Sequence, residues 1–454
     1  MKSPRFISLA LITVLSGCTQ SGSLGSIPST DGPASRPLSS ATQSLIRSAA
    51  ASSKIQHVVI IIQENRSVDN LFQFLRGANT QSYGLNSQGQ DVPLKPADLT
   101  APYTSGHVYA SFLTEYNNGA MNGFDLDKCK GTCPVDAAYG YVPRNEVEPY
   151  YTMAKAYTFA DEMFQTNQGP SFPAHQYLIS GTSTTRNGTT NRASNNPETA
   201  DKQLTGGCDS PAGSLVPVIN AQGQEPASLR VFPCFKRKAL MKLLDQAGIS
   251  WRYYQAKPGP GIWNAVDAIN SIWSNQAEFA SNVVAPSSKV LTDIANGQLA
   301  DVVWVTPTLA ASDHPKWNNG SGPSWVASVV NAIGQSQYWN TTAIFVIWDD
   351  WGGWYDHVTP EILNSYELGF RVPLIVVSPY ARVNYISHKP HEFGSLLKFT
   401  EKIFGLRSLN TTDKRADDLF DCFDFNKQPA PFEPIPAKYP PKYFFTLPSV
   451  EPDD

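Results

Sequence analysis

The chain has 454 residues, 41% of them hydrophobic and only 16% charged, with a formal charge of −4. That length and apolar content predict a globular protein with a large core, and the missing basic footprint excludes nucleic acid as an expected partner. The 35 prolines, 22 phenylalanines, 19 tyrosines and 10 tryptophans predict a loop-rich surface of the kind found on exported proteins.

The opening residues, MKSPRFISLALITVLSGCTQ, set the compartment. Lys2 and Arg5 form a basic start, and the apolar run FISLALITVL is too short to span a bilayer. Small residues lead up to Cys18, and LSGC resembles a bacterial lipobox, whose cysteine is lipidated and becomes the new N-terminus. An ordinary leader followed by a chance cysteine would share the same apolar run. Residues 1–18 therefore read as a lipoprotein signal peptide, and 19–50, rich in Ser, Thr, Gly and Pro, as a flexible tether. The expected location is the cell envelope, outside the cytoplasm, with a membrane as partner through lipidated Cys18. Five cysteines remain: Cys129 and Cys133 are close in sequence, Cys208 and Cys234 could close a loop, and Cys422 is left over. An oxidising compartment favours disulfides over zinc, but spacing alone does not assign the pairs.

Residues 51–454 read as one domain with an insertion near 183–235. Four short apolar runs, at 57–63, 301–307, 343–350 and 373–379, are rich in β-branched residues and nearly unbroken. That is the pattern of strands covered on both faces. Amphipathic helical patterns follow at 237–248, 324–336 and 392–405. Alternating strands and helices predict an α/β sandwich around a central, mostly parallel sheet flanked by helices.

The first three runs end in polar groups. Glu64 and Asn65 follow the first, Asp313 and His314 stand a short loop beyond the second, and Asp349 and Asp350 end the third. Ligands of open α/β sheets bind outside the carboxyl ends of the strands. Adjacent carboxylates repel unless a cation or a shared proton lies between them, so these oxygens could cage a divalent cation. One aspartate could instead cap the turn while the other faces water; QEN at 63–65 favours the cage. Ser171 stands before Pro173 at a predicted helix start, where free backbone N–H groups suit a phosphate. Taken alone, this serine reads better as an N-cap. Among the histidines His314 ranks first as an acid–base group, His107 second and His391 third. His357 reads as a brace for the aspartate loop.

Six stretches in order, HVVIIIQENRSVDNLFQFLRG, GPSFPAHQYLISGT, SDHP, TAIFVIWDDWGGWYDHV, RVPLIVVSPYAR and DDLFDCFDF, together resemble the bacterial phosphoesterase family. That family contains phosphatidylcholine-hydrolysing phospholipases C and acid phosphatases with an alkaline-phosphatase-like fold. The resemblance implies Glu64, Asn65, Asp349 and Asp350 as metal ligands and Ser171 as nucleophile and further metal contact. It implies His107 and His314 as groups that contact the phosphoryl group or protonate the leaving oxygen. One divalent ion is the implied cofactor: Mg, Ca, Mn or Zn.

The chain departs from the family pattern in places. Asp349-Asp350 stands where Asp-Glu is usual, and His175 stands where many relatives carry asparagine. It also ends soon after the catalytic region, which favours the shorter, phosphatase-like branch. The expected function is a metal-dependent, serine-based hydrolase of phosphoric esters, acid-phosphatase-like and acting on small phosphomonoesters. Phospholipase C activity on phosphatidylcholine-type lipids is the alternative. A non-catalytic lipoprotein that binds phosphorylated ligands is the alternative of another class.

Overall fold

The β-branched run His57–Gln63 forms strand β1, with every residue after His57 buried. The computed structural model describes residues 48–49 and 51–452. The leader, Cys18 and nearly all of the tether lie outside the described residues. No described helix is long and apolar enough to cross a membrane.

Seven further strands complete the main sheet: β2 (Thr158–Ala160), β3 (Trp251–Tyr254), β4 (Val283–Val284), β5 (Val302–Val305), β6 (Thr342–Trp348), β7 (Leu374–Val377) and β8 (Tyr385–Ser387). Their order is β4-β3-β5-β1-β6-β7-β2-β8. Strands β3, β4, β5, β1 and β6 are mutually parallel, and so are β2 and β8. Only β7 runs the other way, antiparallel to both β6 and β2. The expected mostly parallel α/β sheet is therefore present, with the fourth apolar run as its reversed strand. The reversal has a local cause. No helix lies between Trp348 and Leu374, so the chain turns at the rim and comes straight back; a parallel return would need a crossover.

The longer helices among the described residues include α1 (Glu148–Ala156), α2 (Ser171–Ser180), α3 (Leu240–Ala247), α4 (Gly322–Gly334) and α5 (Phe393–Phe404). The sheet register shows that both faces are covered. Ile60 pairs with Trp304 and with Phe345, so those three side chains share one face. On that face the Trp304 indole N–H donates to the Leu178 carbonyl of α2, and Phe345 meets Phe399 of α5. Trp348, an odd number of residues from Phe345, points to the other face and packs edge-on against Tyr150 of α1. Every residue of α2 is buried, which suits a helix carrying no charged side chain.

The 183–235 segment carries a small antiparallel sheet of Arg192–Ala193, Val216–Ile219 and Arg230–Val231. Disulfides join Cys129 to Cys133 and Cys208 to Cys234, and Cys422 is free and buried.

The returning segment between β6 and β7 is held by a buried clamp. Arg371 donates from Nε and Nη2 to the two oxygens of Asp356, at 2.8 and 3.1 Å, and from Nη1 to the carbonyls of Asn79 and Asp161. His357 sits beside it with Nδ1 2.7 Å from Asp69 Oδ2, the bracing role expected of it. Replacing Asp356 by Ala should strand the buried guanidinium and cost about 3–5 kcal/mol. Urea unfolding should show a clearly lower midpoint, and an unchanged midpoint would contradict the clamp.

Candidate active site

Strands β1 and β6 stay paired until Gln63 meets Trp348, so the residues after each emerge side by side. The Asp349 N–H donates to the Gln63 carbonyl at 3.0 Å, continuing the ladder by one step. Asn65 then adopts a left-handed conformation (φ 59°), uncommon outside glycine. This turns its backbone N–H onto Asp349 Oδ1 and its side-chain amide onto Asp350 Oδ1, both at 2.9 Å. Gly352 (φ 65°) donates its N–H to the same Asp350 oxygen at 2.7 Å. A Cβ at Gly352 would stand 2.3 Å from the Asn65 carbonyl, so only glycine lets the two loops approach this closely.

Helix α2 brings the remaining groups. Its first residue, Ser171, donates its hydroxyl to Asp350 Oδ2 at 3.2 Å. One turn along, His175 points Nε2 at Glu64 Oε1 (3.3 Å) and Asp349 Oδ2 (3.7 Å). The structure thus gathers Glu64, Asn65, Ser171, Asp349 and Asp350 at one buried point and adds His175. Sequence reasoning treated His175 only as a departure from a pattern. The signal was there: residues 171 and 175 are four apart on one helix and share a face.

Three carboxylates in a dry pocket are an electrostatic problem. Burial, then Asp349 and Asp350, push the Glu64 carboxyl well above its ordinary range. Burial also pushes the His175 imidazole down to about 4, with Asp349 opposing, so the ring is neutral at pH 7 and offers a lone pair. Glu64 Oε1, Asn65 Oδ1 and Asp349 Oδ2 are buried with no hydrogen-bond partner in the protein. One ligand atom each from Glu64, His175 and Asp349 lies within 4.8 Å of the others. Orphaned oxygens and a neutral imidazole facing one point fit a divalent cation, which would reverse the penalty on Glu64.

His107 and His314 lie with ring centroids 6.0 Å apart. Their Nδ1 atoms lie 3.0 Å from the Ser105 carbonyl and 2.8 Å from the Pro315 carbonyl. A carbonyl only accepts, so each ring carries its proton on Nδ1 when neutral. Trp263 links this pair to the carboxylates, its ring centroid 6.4 Å from both His175 and His314. On the other side Trp351, next to Asp350, stands 6.4 Å edge-on to His107. Behind His314, Asp313 accepts from the Tyr150 hydroxyl and the Trp348 indole N–H. Burial pushes the Asp313 carboxyl up to about 6, with Arg66 opposing. His391, third in the sequence ranking, instead contacts Ser387 and Asp417.

A phosphoesterase family model matches residues 55–407. The chain belongs to the phosphoesterase family. It is similar to phospholipase C B of Mycobacterium tuberculosis, 24% identical over 84% of this chain and 80% of the relative. It also resembles the hemolytic phospholipase C of Pseudomonas aeruginosa, 25% identical over 82% of this chain and 56% of the relative. Among solved structures, a protein in the alkaline phosphatase superfamily from Vibrio parahaemolyticus aligns over 84% of this chain and 79% of its own, at 10% identity and a TM-score of 0.36. Membership makes this chain a phosphoric ester hydrolase.

One further carboxylate near this phosphoesterase's rim has no sequence signal at all. Glu451, from the C-terminal tail, is only 4% exposed, and its charge adds to the push on Glu64. Burial pushes its own carboxyl up to about 7 from 4.5. An acid whose folded pKa is raised ionises more readily unfolded, so its contribution to stability falls as pH rises from 4.5 to 7. That loss amounts to about 3 kcal/mol and is complete above the folded value. Glu451→Gln should therefore gain stability relative to wild type between pH 4.5 and pH 8, read by denaturant unfolding at both. A difference independent of pH would contradict the buried, protonated carboxyl.

Proposed function

We propose that this phosphoesterase cleaves its substrates through Ser171, with one divalent cation held by Glu64, His175 and Asp349 and with Asn65 and Asp350 beside them. The observation that carries the proposal is the Ser171 hydroxyl donating to Asp350 within a pocket of orphaned carboxylate oxygens. A cation there would supply positive charge beside the serine oxygen and the attacked phosphoryl group. Its imidazole donor favours a zinc- or manganese-type ion over calcium.

The chain's own residues do the rest. Asp350 orients the Ser171 hydroxyl and takes its proton as Oγ attacks phosphorus. The positive end of α2 lies beside Ser171 and favours the phosphoryl charge, although the Phe172 N–H is already given to Asn196 Oδ1 and Pro173 has none. The bond to the leaving oxygen breaks, and His314 or His107, as imidazolium, returns a proton to that oxygen. Water then attacks the phosphoserine and gives a proton to the now neutral imidazole, the Ser171 O–P bond breaks, Oγ takes its proton back from Asp350, and the phosphate product is released.

In this reading the order of the two substrate classes is reversed, on the support of the relatives. Those named above are phospholipases C, which puts a phospholipid headgroup ester first and a small phosphomonoester second. The tryptophans around the histidines suit an apolar substrate portion. Lipidated Cys18 would hold the protein at the membrane where such substrates lie.

Ser171→Ala should abolish turnover, by at least about a thousandfold, while thermal unfolding stays close to wild type. Near-wild-type activity would leave the serine only a hydrogen-bond donor to Asp350, since Pro170 is the N-cap and no side chain caps the helix. A panel of phosphatidylcholine and aryl phosphates, with and without chelator, separates the substrate classes. Activity indifferent to chelation would overturn the cation. Cys18→Ser should move the protein from the membrane fraction to the soluble one, and unchanged partitioning would reject the anchor.

A further inference from the structure

A second buried group of donors stands away from the carboxylate rim. His391 precedes α5, and Asp421 and Cys422 lie on the short turn Phe420–Cys422. One ligand atom from each lies within 4.8 Å of the others. His391 is 2% exposed and Cys422 is fully buried.

The hydrogen bonds around the group leave Asp421 Oδ1 and His391 Nδ1 without partners. His391 Nε2 lies 3.9 Å from Asp421 Oδ1, too far for a hydrogen bond, and that oxygen is buried without a partner. The other Asp421 oxygen accepts from the Ser387 hydroxyl, so the 3.1 Å contact between Nε2 and Ser387 Oγ is the Nε2–H donating, a bond that a cation on Nε2 would replace. Across the ring, Nδ1 is 3.2 Å from Asp417 Oδ1, at ion-pair distance but off the line of a full hydrogen bond. The charges are also uneven. Asp417 is paired with Lys389 and Asp418 with Lys402, whereas no lysine or arginine is paired with Asp421 among the described residues. The Asp69–Asp356–His357 group is the instructive contrast, because Arg371 already supplies its cation.

We propose that His391 Nε2, Asp421 Oδ1 and Cys422 Sγ form a second metal site that takes one zinc-type divalent cation. Tetrahedral zinc, with bonds of about 2.0–2.3 Å, holds its ligand atoms about 3.3–3.8 Å apart. The 3.9 Å between His391 and Asp421 needs only slight closure. Asp417 stands behind the distal ring nitrogen, where a carboxylate usually steadies a metal-ligating histidine. Ser387 or a water would complete the shell. Thiolate and imidazole select zinc or cobalt over magnesium or calcium, and the thiolate is what sets this site apart from the rim. Binding releases the thiol proton and the proton on Nε2, breaks the Nε2–Ser387 bond, and ties the β8 edge to the turn at 420–422.

The test is to produce the full chain in cobalt-supplemented medium and record its absorption and metal content. Cobalt on a thiolate gives an intense sulfur-to-metal band that the rim residues cannot produce. Wild type should show the band and hold one more equivalent of metal than Cys422→Ser or His391→Gln, both checked for folding by thermal unfolding. A wild type without the band overturns the site, leaving a buried imidazole–carboxylate pair. So does a band or a metal content that survives unchanged in either variant.

Discussion

Everything at the rim depends on one register: Gln63 opposite Trp348 in two parallel strands. It forces Glu64 and Asn65 to emerge beside Asp349 and Asp350, and neither pair can move without slipping a fully buried ladder. A slip of one residue would turn every side chain of the strand to the other face of the sheet. The carboxylates are therefore crowded by the core, not by local preference. Left-handed Asn65 and the close approach at Gly352 are the local adjustments this crowding requires. Strain of this kind belongs at functional sites, where surrounding structure can hold it in place.

The same arrangement links fold to chemistry. A fully buried helix is a stiff carrier, so Ser171 and His175 reach the carboxylates from a fixed direction. The two residues divide the work along one helix face, serine against Asp350 and imidazole against Glu64 and Asp349. Burial pushes the His175 imidazole down and the Glu64 carboxyl up, each toward its uncharged form. A cation would resolve both, which makes the pocket a binding site rather than a packing defect. The tryptophans that join it to His107 and His314 keep the surroundings apolar, where each charge counts for more.

The long central strands and the polar groups at their ends are legible in the sequence, because a doubly covered strand must be an unbroken apolar run. The strands at 158–160, 283–284 and 385–387 are too short to show a period, and Arg252 interrupts the apolar run at 251–254. The run at 373–379 reads correctly as a strand, but its direction depends on the missing crossover before it. At the site, residues adjacent to strand ends are recoverable from motifs. His175 required helix geometry as well as the motif, and Glu451 reaches the rim through a tail with no periodicity. The charge balance that singles out Asp421 from Asp417 and Asp418 exists only in three dimensions.

The stereochemical course at phosphorus tests the central claim, attack by Ser171, most directly. A phosphodiester made chiral with oxygen isotopes would be hydrolysed in isotopically labelled water and the configuration of the phosphomonoester product determined. Two in-line displacements, first by serine and then by water, predict overall retention. Inversion would mean a single displacement by water and would contradict a phosphoserine at Ser171.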